Sequence, residues 1–156
     1  MSYDSAMPRK RHLESRIPSL HTLLNEANRR ATADLRRVVG AKGVPVEFWR
    51  VLEVMADERG RSMSELAEEA GMQLSATSKL VDRMTDAALL QRSVDPEDHR
   101  RVILHISDFG LEKVKALSGD VRRQRSRLEA QFSSSREKQL RELLADFIRA
   151  QHRASE

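Results

Sequence analysis

Ser62-Met63-Ser64-Glu65-Leu66-Ala67-Glu68-Glu69-Ala70-Gly71 opens the stretch that decides the fold, and Asp95-Pro96-Glu97-Asp98-His99-Arg100 lies near its end. Ser62 and Glu65 have the spacing of a capping box, in which each side chain takes an N–H that the first helical turn leaves unpaired. Leu66, Ala67 and Ala70 then face inward, Glu65, Glu68 and Glu69 outward, and Gly71 ends the helix. A second helix is expected from about residue 74 to 88, with Leu74, Thr77, Leu80, Val81, Met84 and Ala87 as its inward stripe. Ser75, Ala76, Ser78, Lys79, Asp82 and Arg83 fall on its other face. Two β-like runs, 89–94 and 101–106, bracket the Asp-Pro segment, and Val102, Leu104 and Ile106 alternate as in a half-buried strand. The order is helix, turn, helix, hairpin.

Outward from this centre the periodicity is helical. Leu13, Ile17, Leu20, Leu24, Ala27, Ala31, Leu35 and Val38 recur at three and four, with Pro18 suited to a first turn. Gly40 and Gly43 break that helix, and Pro45 starts another carrying Phe48, Val51, Leu52, Met55 and Ala56. Ser107 caps a helix through Leu111, Val114, Leu117, Val121 and Leu128, with Asp108 against its positive end. Residues 133–135 read as a break before a last helix with Leu140, Leu143, Leu144, Phe147 and Ile148. Residues 1–12 read as a polar, basic, flexible arm. No internal repeat is visible.

Composition narrows the function classes. Only 39% of the 156 residues are hydrophobic and 33% are charged, so apolar surface is confined to helix stripes. No apolar run approaches a membrane span and no signal-peptide core is present, so the expectation is a cytoplasmic protein without membrane contact. The absence of cysteine removes disulfides, thiolate catalysis and most structural zinc designs. His12, His21, His99, His105 and His152 have no metal-ligand spacing, and no metal or cofactor is expected. No phosphate loop or nucleophile elbow occurs, which argues against an enzyme and leaves no catalytic residue to name.

The net charge of +4 is unevenly placed. Residues 1–50 carry ten Lys/Arg against five Asp/Glu, 51–107 carry seven against eleven, and 108–156 carry eleven against eight. The central stretch is therefore net −4, and any affinity for DNA there must come from individual positions.

Ser64-Glu65-Leu66-Ala67, Ser78-Lys79-Leu80-Val81-Asp82-Arg83-Met84, the Asp95–Arg100 segment and Leu104-His105-Ile106-Ser107 with Gly110 resemble the MarR (multiple-antibiotic-resistance regulator) family of bacterial transcription factors. The likeness extends over nearly the whole chain. It implies a mainly α (α+β) fold: a winged helix-turn-helix at 44–107, and N- and C-terminal dimerisation helices at 13–43 and 108–156. It implies a homodimer on double-stranded DNA with a palindromic operator, and a small-molecule effector bound between the dimer helices and the reading head. Two positions depart from the family pattern. Ala88 stands where the family has glycine, at a cost of roughly 1 kcal/mol if the residue is left-handed, so a different turn is expected. His99 replaces an arginine in the wing, exchanging a fixed cation for a titratable one.

The candidate DNA contacts are Gln73, Ser75, Ala76, Thr77, Ser78 and Lys79, Arg83, and Asp98, His99 and Arg100 in the wing. Small and hydroxylated side chains at a helix start let the backbone approach a groove floor and bond phosphates or base edges; Thr77 also falls on the inward stripe. Arg100 suits a narrow A·T-rich minor groove, and Asp98 is expected to hold its guanidinium in a bidentate pair. Asp82 and Arg83 fit either a wing brace or a phosphate contact. By the resemblance, Arg16, His21, Asn25 and Trp49 are the ligand-pocket candidates, with core packing the alternative for Trp49. The effector class is an aromatic carboxylate or its acyl-CoA thioester, the latter suited by Arg29, Arg30, Arg36 and Arg37. The 122–127 run is an exposed helix face or a contact to phosphate or an anionic ligand. The expected function is a ligand-responsive repressor; the alternative is a DNA-binding or architectural winged-helix protein with no effector.

Overall fold

The structure, a computed structural model, describes residues 18–131 and 133–154. The arm expected at 1–12, and with it Leu13, Arg16 and Ile17, lies outside those residues. Among the described residues the order is α1 (Leu20–Gly40), α2 (Val46–Met55), α3 (Met63–Glu69), α4 (Leu74–Asp86), β1 (Leu90–Val94), β2 (Val102–Ile106), α5 (Asp108–Ala130) and α6 (Ser134–Ala154). The winged helix-turn-helix order is thus present. The break expected at 133–135 falls earlier, because the Ser133 carbonyl already accepts from the N–H groups of Arg136 and Glu137 and brings Ser134 and Ser135 into α6.

Local chemistry explains the helix ends. Ser19 caps α1, its hydroxyl accepting from the Thr22 N–H at 3.2 Å. The capping box of α3 is complete: Ser62 Oγ accepts from the Glu65 N–H at 3.3 Å, and Glu65 Oε2 accepts from the Ser62 N–H at 2.7 Å. Ser107 caps α5 by accepting from the Gly110 N–H at 2.9 Å. At the end of α4, Ala88 has φ +57°. Its N–H donates to the Thr85 carbonyl and the Leu89 N–H to Met84, both at 2.9 Å, the two bonds of a left-handed helix stop. The turn expected to differ at Ala88 is therefore the usual one, made without glycine.

One core joins the pieces. Val39 of α1, Val46, Trp49, Val51, Leu52 and Met55 of α2, Leu66 of α3, Leu80, Val81 and Met84 of α4, Leu104 of β2, and Leu117 and Val121 of α5 are all buried in one cluster. Two members of the inward stripe expected for α4 are corrected. Leu74 is 53% exposed and Ala87 is exposed, because they stand at the first residue and the C-cap, beyond the layer that α4 presents to the core. Ala70 is only half-buried for the same reason, as the C-cap of α3.

β1 and β2 pair antiparallel from Leu90 opposite Ile106 to Val94 opposite Val102. Of the expected alternating set only Leu104 is fully buried; Val102, at the distal end of the hairpin, is 49% exposed. A bridge absent from the sequence reading extends the sheet, as Arg61 and Leu104 exchange N–H···O=C bonds of 3.0 and 2.7 Å.

Candidate nucleic-acid interface and ligand cavity

The start of α4 presents its polar face outward. Gln73, Ser75, Ala76 and Lys79 are exposed and Ser78 half-buried, and Gln73 at the N-cap makes no side-chain cap. Among the described residues, the first N–H of α4 with a backbone partner is that of Thr77, which donates to Gln73 O at 2.9 Å. The donors before it point out of the helix end, as an anion-facing helix N-terminus requires. Thr77 itself is fully buried and its hydroxyl also donates to Gln73 O at 2.9 Å. It belongs to the core, which removes it from the candidate contacts.

The wing tip is built by its own aspartates. Asp95 accepts from the Glu97 N–H at 2.9 Å, and Asp98 from the Arg100 N–H at 3.0 Å, while the Arg101 N–H closes back on the Asp98 carbonyl at 2.8 Å. The bidentate Asp98–Arg100 pair expected from the sequence is therefore not formed: the Asp98 carboxylate is engaged by Arg100's backbone instead of its guanidinium. His99 and Arg100 are exposed, and the Arg100 guanidinium has no ion-pair partner among the described residues.

Two ion pairs fasten this hairpin to the helices. Arg101 holds both Glu65 oxygens at 3.0 Å, tying the wing to the start of α3. The Ser62 hydroxyl and N–H, and then Arg101, hold the Glu65 carboxyl down at about 2. Arg92 of β1 pairs with Asp82 of α4, the contact of a wing brace. Arg83, its neighbour, lies over the Phe48 ring with 5.2 Å to the centroid. Beneath the hairpin Arg61, only 7% exposed, donates to Asp57 at 2.7 and 2.9 Å and to Glu69 at 2.9 Å. The Asp57 carboxyl is held well below the usual range by Arg61, with help from the Arg59 N–H. Arg61 thus joins the end of α2, α3 and β2.

A separate feature lies between α1, α2 and α5. Trp49 is 3% exposed and walls two cavities, one of about 230 Å³ with Ala31, Thr32, Leu35 and Gln124, the other of about 220 Å³ with Val114 and Ser118. Trp49 Nε1 and Gln124 Nε2 are buried donors with no partner among the described residues. Native proteins rarely leave such groups unsatisfied.

The sequence pattern of the MarR family matches residues 42–101. A transcriptional repressor of Pseudomonas putida, IacR, is 30% identical over 88 residues, 56% of this chain and 53% of the repressor, so the match spans about half of that relative's length. The homoprotocatechuate degradative operon repressor of Escherichia coli is 23% identical over 130 residues, 83% of this chain and 88% of that protein. A solved MarR-family transcriptional regulator of Silicibacter pomeroyi DSS-3 superposes with a TM-score of 0.70 at 27% identity, over 83% of this chain and 94% of that one. Over residues 42–101 the chain carries the MarR family pattern, and it is similar to MarR-family regulators. No helix among the described residues is long and apolar enough to cross a membrane.

Within this MarR-family frame the ligand-pocket candidates separate. Trp49 lines the cavities. His21 and Asn25 are exposed near the start of α1 and hydrogen-bond each other at 3.4 Å. At ~1.5 Å of rise per residue, seven residues put Asn25 roughly 10 Å along the helix from Thr32 at the cavity. Arg16 lies outside the described residues. Nor do the four α1 arginines form a free anion site: Arg29 and Arg30 pair with Glu26, Arg36 with Glu47 and Arg37 with Asp34. Gln124 falls within the 122–127 run named in the sequence, but its place on the inner face of α5 was not read although a signal existed. Leu117, Val121, Gln124 and Leu128 follow a 4-3-4 spacing, which sets an amide on an apolar stripe. Arg61 and Arg101 had no such signal, because their partners are fixed only by the tertiary fold.

Proposed function

We propose that this protein is a DNA-binding transcriptional regulator, acting as a repressor that a small aromatic acid releases from a palindromic operator. The observation that carries the reading is the combination of an open α4 start (Gln73, Ser75, Ala76, Ser78, Lys79) with an unpaired Arg100 at a braced wing tip. α4 enters the major groove with its first residues against base edges, and Arg100 enters the adjacent minor groove, with His99 beside it and Asp98 holding the loop. Arg83, stacked on Phe48, is left to contact phosphate.

A second copy of the chain completes the unit. The head is 44–107, and the helices of 13–43 and 108–156 pair the two copies. Supporting this, Leu20 and Leu23 of α1 and Leu140, Leu143, Phe147 and Ile148 of α6 are 37–60% exposed, an apolar surface that one chain leaves uncovered. The effector pocket lies at Trp49 and Gln124, whose unsatisfied donors favour the ligand-responsive reading over a module without an effector. Cavities of 230 and 220 Å³ sit below the ~300–1,000 Å³ of drug-sized sites. They suit a single aromatic ring with a carboxylate, and are too small for the nucleotide of a CoA thioester. The operon named for homoprotocatechuate, an arylacetate, that the E. coli relative represses makes that compound the first probe.

Selection of duplexes from a random pool, followed by fluorescence anisotropy, tests the proposal. The selected DNA is expected to be palindromic, with half-sites about one helical turn apart, and bound at least ~10³-fold more tightly than scrambled DNA. Equal binding to both would overturn it.

A further inference from the structure

Glu53 of α2 and Arg125 of α5, 72 residues apart in sequence, form an ion pair at 2.8 Å. Both residues line both cavities at Trp49. The pair therefore stands at the cavities that Trp49 walls, the first of which Gln124 also lines. Its side chains are 45% and 56% exposed, and an ion pair this open contributes little to folding, so its exchange for another partner is cheap. Arg50 lines the first cavity and Arg122 the second beside Arg125, and the one carboxylate in either lining, Glu53, is paired with Arg125, which alone of the three arginines lines both.

Resting on the effector-pocket reading above, we infer that Arg125 is the residue that recognises the ligand's carboxylate and that Glu53 is a built-in competitor, displaced when an acid binds. A ligand carboxylate in the cavity offers Arg125 a bidentate partner and repels Glu53 at the same time. The consequence reaches DNA through the position of the pair. α5 is buried in the head's core at Leu117 and Val121, and Arg125 lies one turn further on, where α5 leaves that core. Glu53–Arg125 is a polar tie between the head and the outgoing part of α5. Losing it frees the angle at which the head meets the dimer helices, and that angle sets the half-site spacing. A neutral ligand of the same shape satisfies the buried donors but leaves Glu53 in place.

Phenylacetate and phenylacetamide, which differ in charge and little in shape, separate these roles. Trp49 is the only tryptophan, so its fluorescence reports occupancy directly. Arg125→Gln is expected to weaken phenylacetate binding about tenfold or more while leaving phenylacetamide unchanged. Glu53→Gln is expected to bind phenylacetate about fivefold more tightly, and to bind the selected operator as weakly as phenylacetate-loaded wild type, with no further loss on adding the acid. Phenylacetamide is expected to bind wild type without releasing DNA. If phenylacetate binds and releases DNA identically in wild type, Glu53→Gln and Arg125→Gln, the exchange is overturned while the pocket stands. If neither compound nor homoprotocatechuate changes Trp49 emission in wild type, the effector pocket itself is overturned and the exchange with it.

Discussion

Ala88→Gly is expected to raise the stability of this protein, which is unusual for a substitution that removes atoms from an ordered turn. Ala88 sits at φ +57° between α4 and the wing, a conformation that costs an L-residue roughly 1–2 kcal/mol. Its methyl group is exposed, so removing it opens no cavity. The bonds of the turn are backbone or reach the backbone: Ala88 N–H to Thr85 O and Leu89 N–H to Met84 O at 2.9 Å, and Ser107 Oγ donating to Ala88 O at 2.6 Å. Glycine keeps all three. Against the relieved strain stands the greater freedom of glycine in the unfolded chain, ~0.4–1 kcal/mol. The net gain is about 0.5–1 kcal/mol, which in a chain of this size raises Tm by roughly 1–4 °C. Ala88→Val moves the other way, since a β-branched residue is strained at positive φ. Thermal melts by circular dichroism at one fixed protomer concentration read both, because Tm of an oligomer shifts with concentration. A glycine variant that melts at or below the wild-type temperature would refute the argument.

Three further outcomes follow from the same geometry. Gly110→Ala places a Cβ 2.4 Å from the Leu89 carbonyl oxygen and 2.8 Å from Ile106 Cγ1, and that oxygen is already held by the Ser107 N–H; urea unfolding should show a loss of roughly 1–3 kcal/mol, and an unchanged midpoint contradicts the close approach of α5 to the turn. Thr77→Val loses one hydroxyl bond while Gln73 O keeps the Thr77 N–H, so stability should fall by less than ~1 kcal/mol with operator affinity unchanged; a tenfold affinity loss by anisotropy would return Thr77 to the DNA surface. Glu65 is held at about 2 against an ordinary 4.5, so its contribution is complete above pH 4.5 and disappears as pH falls toward 2. The urea-midpoint gap between wild type and Glu65→Gln should close over that window, and a gap independent of pH means that the Arg101–Glu65 brace does not hold the wing.

Features written in local chemistry were legible in the sequence. The capping box at Ser62 and Glu65, the cap at Ser107, the start of α1 near Pro18 and both strands within a residue follow from rules that span four or five positions. Reading failed where a partner comes from elsewhere in the fold. Asp98 and Arg100 look like an ion pair two residues apart, yet the short aspartate side chain reaches the N–H sooner than the guanidinium. Leu74 follows the α4 period but lies past the core's edge, a limit that periodicity does not carry. The buried Arg61, the Arg101–Glu65 brace and the Glu53–Arg125 pair are set by tertiary packing across 8, 36 and 72 residues. Of the proposed ligand site, Trp49 and the 122–127 run that holds Gln124 and Arg125 were legible, whereas the family expectation for α1 pointed to its start and the cavity opens further along it.

The central stretch is net acidic, so in the proposed reading DNA affinity rests on a few side chains, Arg100 foremost. Operator affinity of Arg100→Ala, by anisotropy on the selected duplex with Tm measured alongside, tests this most directly. The variant should melt with wild type, since the guanidinium has no partner among the described residues, and bind more weakly by about tenfold or more. Wild-type affinity in a folded Arg100→Ala protein would remove the wing from DNA recognition.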